Sequence, residues 1–309
     1  MNREVKWKGI YPAVLTMFHE DGSLDIDTYL INIRAQVAAG VQGIIIGGSL
    51  GESSTLTQDD RLELLSATLG AVGDHVDVIV NIAEGSTRAA IELAQKAEAN
   101  GAHGLMVLPP MMYKPTDAEV VQFFKDVASS TKLSILLYNN PVDYKIEITM
   151  DMLEQLTTVA NIQAVKESTR DISNVSRMKS QFGDRYQILC GVDTLALEEA
   201  LMGADGWVAG LVDAFPAETV AIFRLAKAGR VAEAIDIYRW FLPILELDIN
   251  PQLVQNIKLA AVKTGIGTEY VRAPRSPLVG AERERVLQIL DRGLATRPQL
   301  PDYLQLSAI

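Results

Sequence analysis

Short apolar runs alternate with amphipathic stretches from the start of the chain to about residue 225. The runs are GIYPAVLT (9–16), GIIIG (43–47), VDVIVNI (76–82), GLMVLP (104–109), SILLYN (134–139), IQAVK (162–166), YQILCG (186–191) and GWVAG (206–210). Between them stand stretches such as DTYLINIRAQVAAG, DDRLELLSATLGAV and STRAAIELAQKAEANG, whose apolar residues recur at helical spacing. Runs that are apolar at nearly every position, instead of at every second one, belong to parallel strands covered on both faces. One phrase recurs where a helix hands over to a strand: AGVQG (39–43), NGAHG (100–104) and MGADG (202–206). Each has a glycine able to end a helix in the left-handed conformation, then two residues, then a glycine opening the strand.

Eight strand-helix units predict an α/β protein of the (β/α)8 TIM barrel type, since a doubly wound open sheet usually has fewer strands and a break between halves. Four further helical patterns follow, ETVAIFRLAKAG, VAEAIDIYRWFLPILELD, PQLVQNIKLAAVKTG and AERERVLQILDRG, with no good strand among them. The expected organisation is a barrel domain over 1–225 and a C-terminal helical extension over 226–309.

Composition narrows the function classes. The chain has 309 residues, 48% hydrophobic and 22% charged, which fits an ordered globular protein. A net charge of −11 argues against nucleic acid and anionic membrane as partners, because both require a basic face. No apolar run reaches the length of a membrane span, and MNREVKWKGIYPAV has no signal-peptide core, so the expected location is the cytoplasm. The single cysteine, Cys190, and three scattered histidines, His19, His75 and His103, make a metal site unexpected.

A barrel of this kind does its chemistry where strands end and the following loops begin. The strand ends carry Thr16, then GGSLGES (47–53), Ala83 with Glu84, PPMMYK (109–114), YNNP (138–141), Lys166 with Glu167, CGVD (190–193) and the segment from Val208 to Leu211. Lys166 and Tyr138 end neighbouring strands. A lysine on a buried strand loses its proton more readily than one in water, and only the neutral amine attacks a carbonyl to form a Schiff base. A phenol beside it can carry the protons that imine formation moves. Each residue also has a plain structural reading: a lysine reaching solvent or pairing with Glu167, a tyrosine capping a strand, a glycine loop making a tight turn. The loop matches neither GxxxxGK[ST] nor GxGxxG, so it is not a phosphate cradle by spacing.

Taken together, GGSLGESSTLT, YNNP, AVKEST and VRAPRSPL resemble the motifs of the dihydrodipicolinate synthase and N-acetylneuraminate lyase family of Schiff-base-forming class I aldolases, over essentially the whole chain. The resemblance implies a (β/α)8 barrel with a helical C-terminus and a homotetramer built as a dimer of dimers. It gives Lys166 the Schiff base with a small 2-oxo acid, Tyr138 the proton relay, and Ser49 with Leu50 the substrate carboxylate through their backbone amides. Gly48, Val208, Asp143 and Met112 are expected to complete the substrate site. No cofactor is implied.

Departures from the family pattern bear on the substrate. Leu50 stands where dihydrodipicolinate synthases resemble one another in a relay threonine, which leaves Tyr138 to find another partner such as Ser49. Asp143 stands where they carry an arginine for the second substrate, and Met112 where a tyrosine crosses their dimer interface, with Tyr113 next to it. The wording LPPMMYK followed by YNNPVDY leans toward a 4-hydroxy-1-pyrroline-2-carboxylate deaminase-like activity, or a keto-deoxy acid dehydratase or aldolase. The alternatives are a dihydrodipicolinate synthase, condensing pyruvate with aspartate semialdehyde, and, from another class, a non-catalytic barrel that binds a 2-oxo acid. A phosphosugar-binding barrel fits poorly, because Asp193 and Asp213 follow strands seven and eight.

Overall fold

In the computed structural model, which describes residues 4–306, every apolar run becomes a strand that pairs in parallel with its neighbours. The strands are β1 (Gly9–Ile10), β2 (Gly43–Ile46), β3 (Asp77–Ile82), β4 (Gly104–Val107), β5 (Ser134–Asn139), β6 (Ile162–Glu167), β7 (Gln187–Cys190) and β8 (Gly206–Trp207). They follow one another in chain order, and β1 pairs with β8. The remaining seam between β1 and β2 is closed by a bridge from Ala13 to Ile45, with Ile45 N–H donating to Pro12 and Val14 N–H donating to Ile45. The result is a closed parallel barrel without free edges.

The amphipathic stretches form the surrounding ring. In order these are α1 (Ile26–Ala39), α2 (Gln58–Val72), α3 (Thr87–Ala99), α4 (Asp117–Ser129), the single turn α5 (Pro141–Tyr144), α6 (Met150–Leu156), α7 (Ser173–Phe182), α8 (Ala196–Leu201) and α9 (Pro216–Lys227). Helix α9 touches both α8 and α1, so it completes the ring. Three more helices, α10 (Val231–Leu245), α11 (Leu253–Lys263) and α12 (Gly280–Ala295), pack outside it. The first and last three residues of the expected domain spans lie outside the described residues.

Local chemistry sets the helix ends. Thr57 and Thr116 form capping boxes with Asp60 and Glu119, and Ser86 and Thr149 cap α3 and α6. The recurring turn is a left-handed glycine each time, with φ of 94° at Gly40, 87° at Gly101 and 108° at Gly203. Strands β1 and β8 are shorter than their apolar runs. Pro12 lacks an N–H and interrupts the ladder, although Tyr11 and Ala13 still donate to Trp207 and Ala209, both at 2.9 Å.

Two apolar cores result. The larger lies between sheet and helices; the smaller fills the barrel with Trp7, Tyr11, Ile45, Ile79, Met106, Leu136, Ala164 and Leu189. Trp7 plugs the end where the strands begin, its indole donating to Ser134 Oγ at 2.6 Å and its ring 5.4 Å from that of Tyr11. The barrel interior is thus plugged where the strands begin, and a cavity opens into it where they finish.

Candidate active site

A β-bulge decides which way the lysine points. Ile135 on β5 pairs with Ile162 on β6, but the next residue, Leu136, pairs with Ala164, which leaves Gln163 as an extra residue. Beyond the bulge Tyr138 pairs with Lys166. Had pairing run on unbroken from Ile162, Lys166 would stand opposite Asn139 and on the other face of the sheet. Leu136, Tyr138 and Ala164 belong to the barrel interior, whereas Leu137 and Val165 belong to the outer core. Lys166 therefore enters the barrel with Tyr138, its Nζ 3.9 Å from the centre of the phenol ring.

Both groups are perturbed. Lys166 is only 6% exposed, and burial lowers its pKa from the usual lysine value, opposed by the nearby acidic groups, Tyr144 and Asp248 foremost. Its neutral amine is correspondingly more available at neutral pH. Burial also raises the Tyr138 phenol to about 12, so it stays protonated and able to donate. Gly191 makes room for the lysine: a Cβ there would lie 2.7 Å from Lys166 Cε and 2.0 Å from Ser168 Oγ.

The expected partner of Tyr138 is not the observed one. Its hydroxyl accepts from Asn140 Nδ2 at 3.1 Å, while the Ser49 hydroxyl hydrogen-bonds that of Tyr144. Tyr144 in turn meets the Tyr138 ring edge to face, with centroids 5.7 Å apart, and burial lifts its pKa to about 12. Asn140 also caps α5, the single turn that Tyr144 ends. The polar chain around the lysine thus runs through Tyr144, a residue that sequence reasoning passed over.

The glycine loop is clamped from behind. Glu52, in the left-handed conformation and fully buried, pairs with the equally buried Lys258 of α11 at 2.6 Å, and the Arg272 N–H donates to its other oxygen at 3.1 Å. Ahead of this clamp, the N–H groups of Ser49 and Leu50 donate to no acceptor among the described residues, which leaves them available to a carboxylate. Leu50 itself is buried, with its side chain in the outer core.

These groups meet in a cavity of about 210 Å³ at the strands' carboxyl ends. Gly48, Ser49, Leu50, Tyr138, Asp143, Lys166 and Val208, all expected from sequence, line it. Met112 does not: it is 81% exposed, with Tyr113 beside it 55% exposed, and neither lines the cavity. Added to the expected set are Tyr144, Ser168, Arg170 and, from the turn after α10, Asp248. Asp193 and Asp248 stand together, their carboxylates 3.5 Å and 2.8 Å from the position a Gly210 Cβ would take. Asp193 accepts from Trp207 Nε1 and from the N–H groups of Gly210 and Leu211. Burial raises both acids, and Asp193 pushes Asp248 further. Asp213, which follows β8, lies deeper and accepts from Leu15 N–H and Gln36. The described residues include no cluster of three His, Cys, Asp or Glu arranged to hold a metal ion.

Comparison with known proteins leads to the same chemistry. The model of the dihydrodipicolinate synthetase family matches residues 6–292. Fold, site and match together define an enzyme, a lyase of the Schiff-base type built on a (β/α)8 barrel. The chain belongs to the dihydrodipicolinate synthetase family. It is similar to the 4-hydroxy-tetrahydrodipicolinate synthase of Exiguobacterium sibiricum, 32% identical over 276 residues that cover 88% of this chain and 92% of the relative. The enzyme of the same name from Moorella thermoacetica is 31% identical over 280 residues, 91% and 95% of the two chains. Among solved structures, the synthase from Methylacidiphilum fumariolicum SolV superimposes with a TM-score of 0.89 at 28% identity, covering 94% of this chain and 97% of its own. A dihydrodipicolinate synthase from Bacillus anthracis gives 0.89 at 26%, covering 96% and 100%. No helix among the described residues is long and apolar enough to cross a membrane.

Proposed function

We propose that Lys166 forms the Schiff base with a small 2-oxo acid or a cyclic imine of one. The observation that carries this reading is the register pairing of Tyr138 with Lys166, which holds a buried amine 3.9 Å from a phenol ring. The substrate carboxylate lies on the free N–H groups of Ser49 and Leu50. Neutral Lys166 attacks C2, and Tyr138 relays the protons as water or ring nitrogen departs. The iminium then draws electrons from C3, giving an enamine. Incubation with pyruvate, reduction with borohydride and peptide mapping test this step: the adduct is expected on Lys166. No adduct, or one on another lysine, overturns the assignment.

The relatives' names support condensation of pyruvate with aspartate semialdehyde as the second half-reaction. That is the alternative to the deaminase-like activity toward which the sequence wording leans. A specific observation supports the deaminase reading as well: Asp143, Asp193 and Asp248 all line the cavity, and Leu50 brings no hydroxyl to it. Attack of Lys166 on C2 of 4-hydroxy-1-pyrroline-2-carboxylate, followed by cleavage of the bond from C2 to the ring nitrogen, leaves an amine on C5, to which an acid of the wall can give a proton. Loss of the 4-hydroxyl as water, shift of the double bond to C5 and nitrogen, and hydrolysis of that imine and of the Lys166 imine then release ammonia and the open-chain oxo acid. Parallel assays separate the two. Heterocycle formation from pyruvate and aspartate semialdehyde supports the synthase, and ammonia release from the pyrroline supports the deaminase.

The tetramer implied by the family resemblance belongs to this proposal. It is supported by the adjacent exposure of Met112 and Tyr113, an apolar pair suited to a subunit contact. Light scattering on the purified chain is expected to give four times the monomer mass.

A further inference from the structure

Arg170 lines the same cavity from the loop after β6, and its position is unusual in three respects. Its backbone φ is 65°, in the left-handed region where glycine is unstrained and a long side chain is not. Its neighbour Asp171, the acid best placed to neutralise it, is taken by Arg177 at 2.7 Å and by Ser173. Apart from Lys166, every charged side chain with which it shares the cavity is an aspartate: Asp143, Asp193 and Asp248. Asp143 is held by Asn140 Nδ2 at 2.8 Å and Asp193 by Trp207, Gly210 and Leu211, and among the described residues no ion pair joins any of the three to Arg170. Arg170 is thus an exposed guanidinium on the cavity rim with no ion-pair partner among the described residues, held there by a strained backbone. An outlier of this kind at a site is a reason to ask what it binds.

Resting on the Schiff-base reading above, we propose that Arg170 binds a second carboxylate, carried at the end of the reactants remote from the carbonyl that Lys166 attacks. The first carboxylate has the Ser49 and Leu50 N–H groups. A guanidinium fork matches a carboxylate through two parallel hydrogen bonds, and among the described residues that line the cavity Lys166 is the one other basic side chain. Arg170 then supplies the positive charge that Asp143 does not. The second carboxylate belongs either to the same molecule, a 2-oxo diacid, or to a separate aldehyde that adds to the enamine.

Arg170→Gly is the variant of choice, because glycine suits the left-handed backbone and the variant is expected to melt no lower than the wild type. Borohydride trapping is measured with pyruvate and with 2-oxoglutarate. Turnover of pyruvate is measured with aspartate semialdehyde and with uncharged propanal. Failure of the wild type to trap pyruvate on Lys166 defeats the Schiff-base reading whatever Arg170 does. With trapping intact, a rise of roughly 10- to 100-fold in half-saturation for 2-oxoglutarate, with pyruvate changed by less than about twofold, supports the proposal and places the carboxylate on the same molecule. A comparable rise for aspartate semialdehyde but not propanal supports it and places the carboxylate on the second reactant. Arg170→Lys is expected to recover part of either loss. Equal effects on charged and uncharged reactants, no effect in either arm, or a wild type that gains nothing from a distal carboxylate overturns the proposal.

Discussion

Tyr138 and Lys166 share a face of the barrel only because Gln163 is bulged out of the β5 to β6 ladder. The extra residue brings the lysine into phase with the phenol, 3.9 Å from Nζ to the ring centre, and the chemistry proposed above depends on that phase.

Lys166 sits where an ammonium ion is disfavoured, and removing the charge should show it. Because burial lowers its pKa below 10.5, the unfolded chain holds this proton at pH values where the folded chain has shed it. Stability from this group therefore rises as pH climbs toward 10.5. Lys166→Met is expected to abolish borohydride trapping while stabilising the fold at neutral pH, by an amount on the order of 1 kcal/mol, read from urea titration. Loss of stability would indicate that the lysine contributes structurally.

Tyr138→Phe separates the ring from the hydroxyl. The aromatic face over Lys166 and the edge-to-face contact with Tyr144 remain, but the proton carrier and the acceptor for Asn140 are lost. The turnover number is expected to fall by roughly 10²- to 10⁴-fold, with the melting temperature little changed. A drop of less than about tenfold would move the relay to Tyr144.

Gly191→Ala tests positioning without touching a reacting group. The added methyl needs space now held by Lys166 Cε and Ser168 Oγ, so the amine must shift. A displacement of that size is expected to cost about a hundredfold in turnover, measured alongside the rate of trapping on Lys166. Wild-type turnover would mean that the lysine chain relaxes freely.

Glu199 of α8 gives the fold a pH dependence. Burial raises its pKa from 4.5 to about 8, and its Oε2 has no hydrogen-bond partner among the described residues. Its contribution to stability is complete below 4.5, where both states are protonated, and is lost as pH rises toward about 8, where the unfolded state alone has ionised freely. Thermal melts across that range are expected to show a smaller decline in Glu199→Gln than in the wild type. Identical slopes would remove Glu199 as the cause.

The chain's own pattern was enough to predict eight parallel strands, because strands covered on both faces are apolar at nearly every position and helices between them are not. It also placed Lys166, Tyr138 and Ser49 at strand ends, which in a parallel barrel all open on one side. Asp248 was not legible, because it belongs to the turn after α10 and joins the cavity only when the helical extension folds across the barrel mouth. Arg170 was passed over for a similar reason: its place on the rim depends on a left-handed backbone that no local residue pattern announces. Met112 could be aligned with a site position, yet its side chain points to solvent, since sequence spacing does not fix the direction of a loop residue.

The sequence by itself therefore determined the barrel, set by periodicity, and the strand end at which a candidate nucleophile, Lys166, stands beside Tyr138. Only the tertiary structure decided what surrounds that lysine: the bulge at Gln163, the Ser49 to Tyr144 hydrogen bond, and three aspartates faced by Arg170 across the cavity. These depend on register and on contacts between residues far apart in the chain, and a one-residue slip in register exchanges the two faces of a strand.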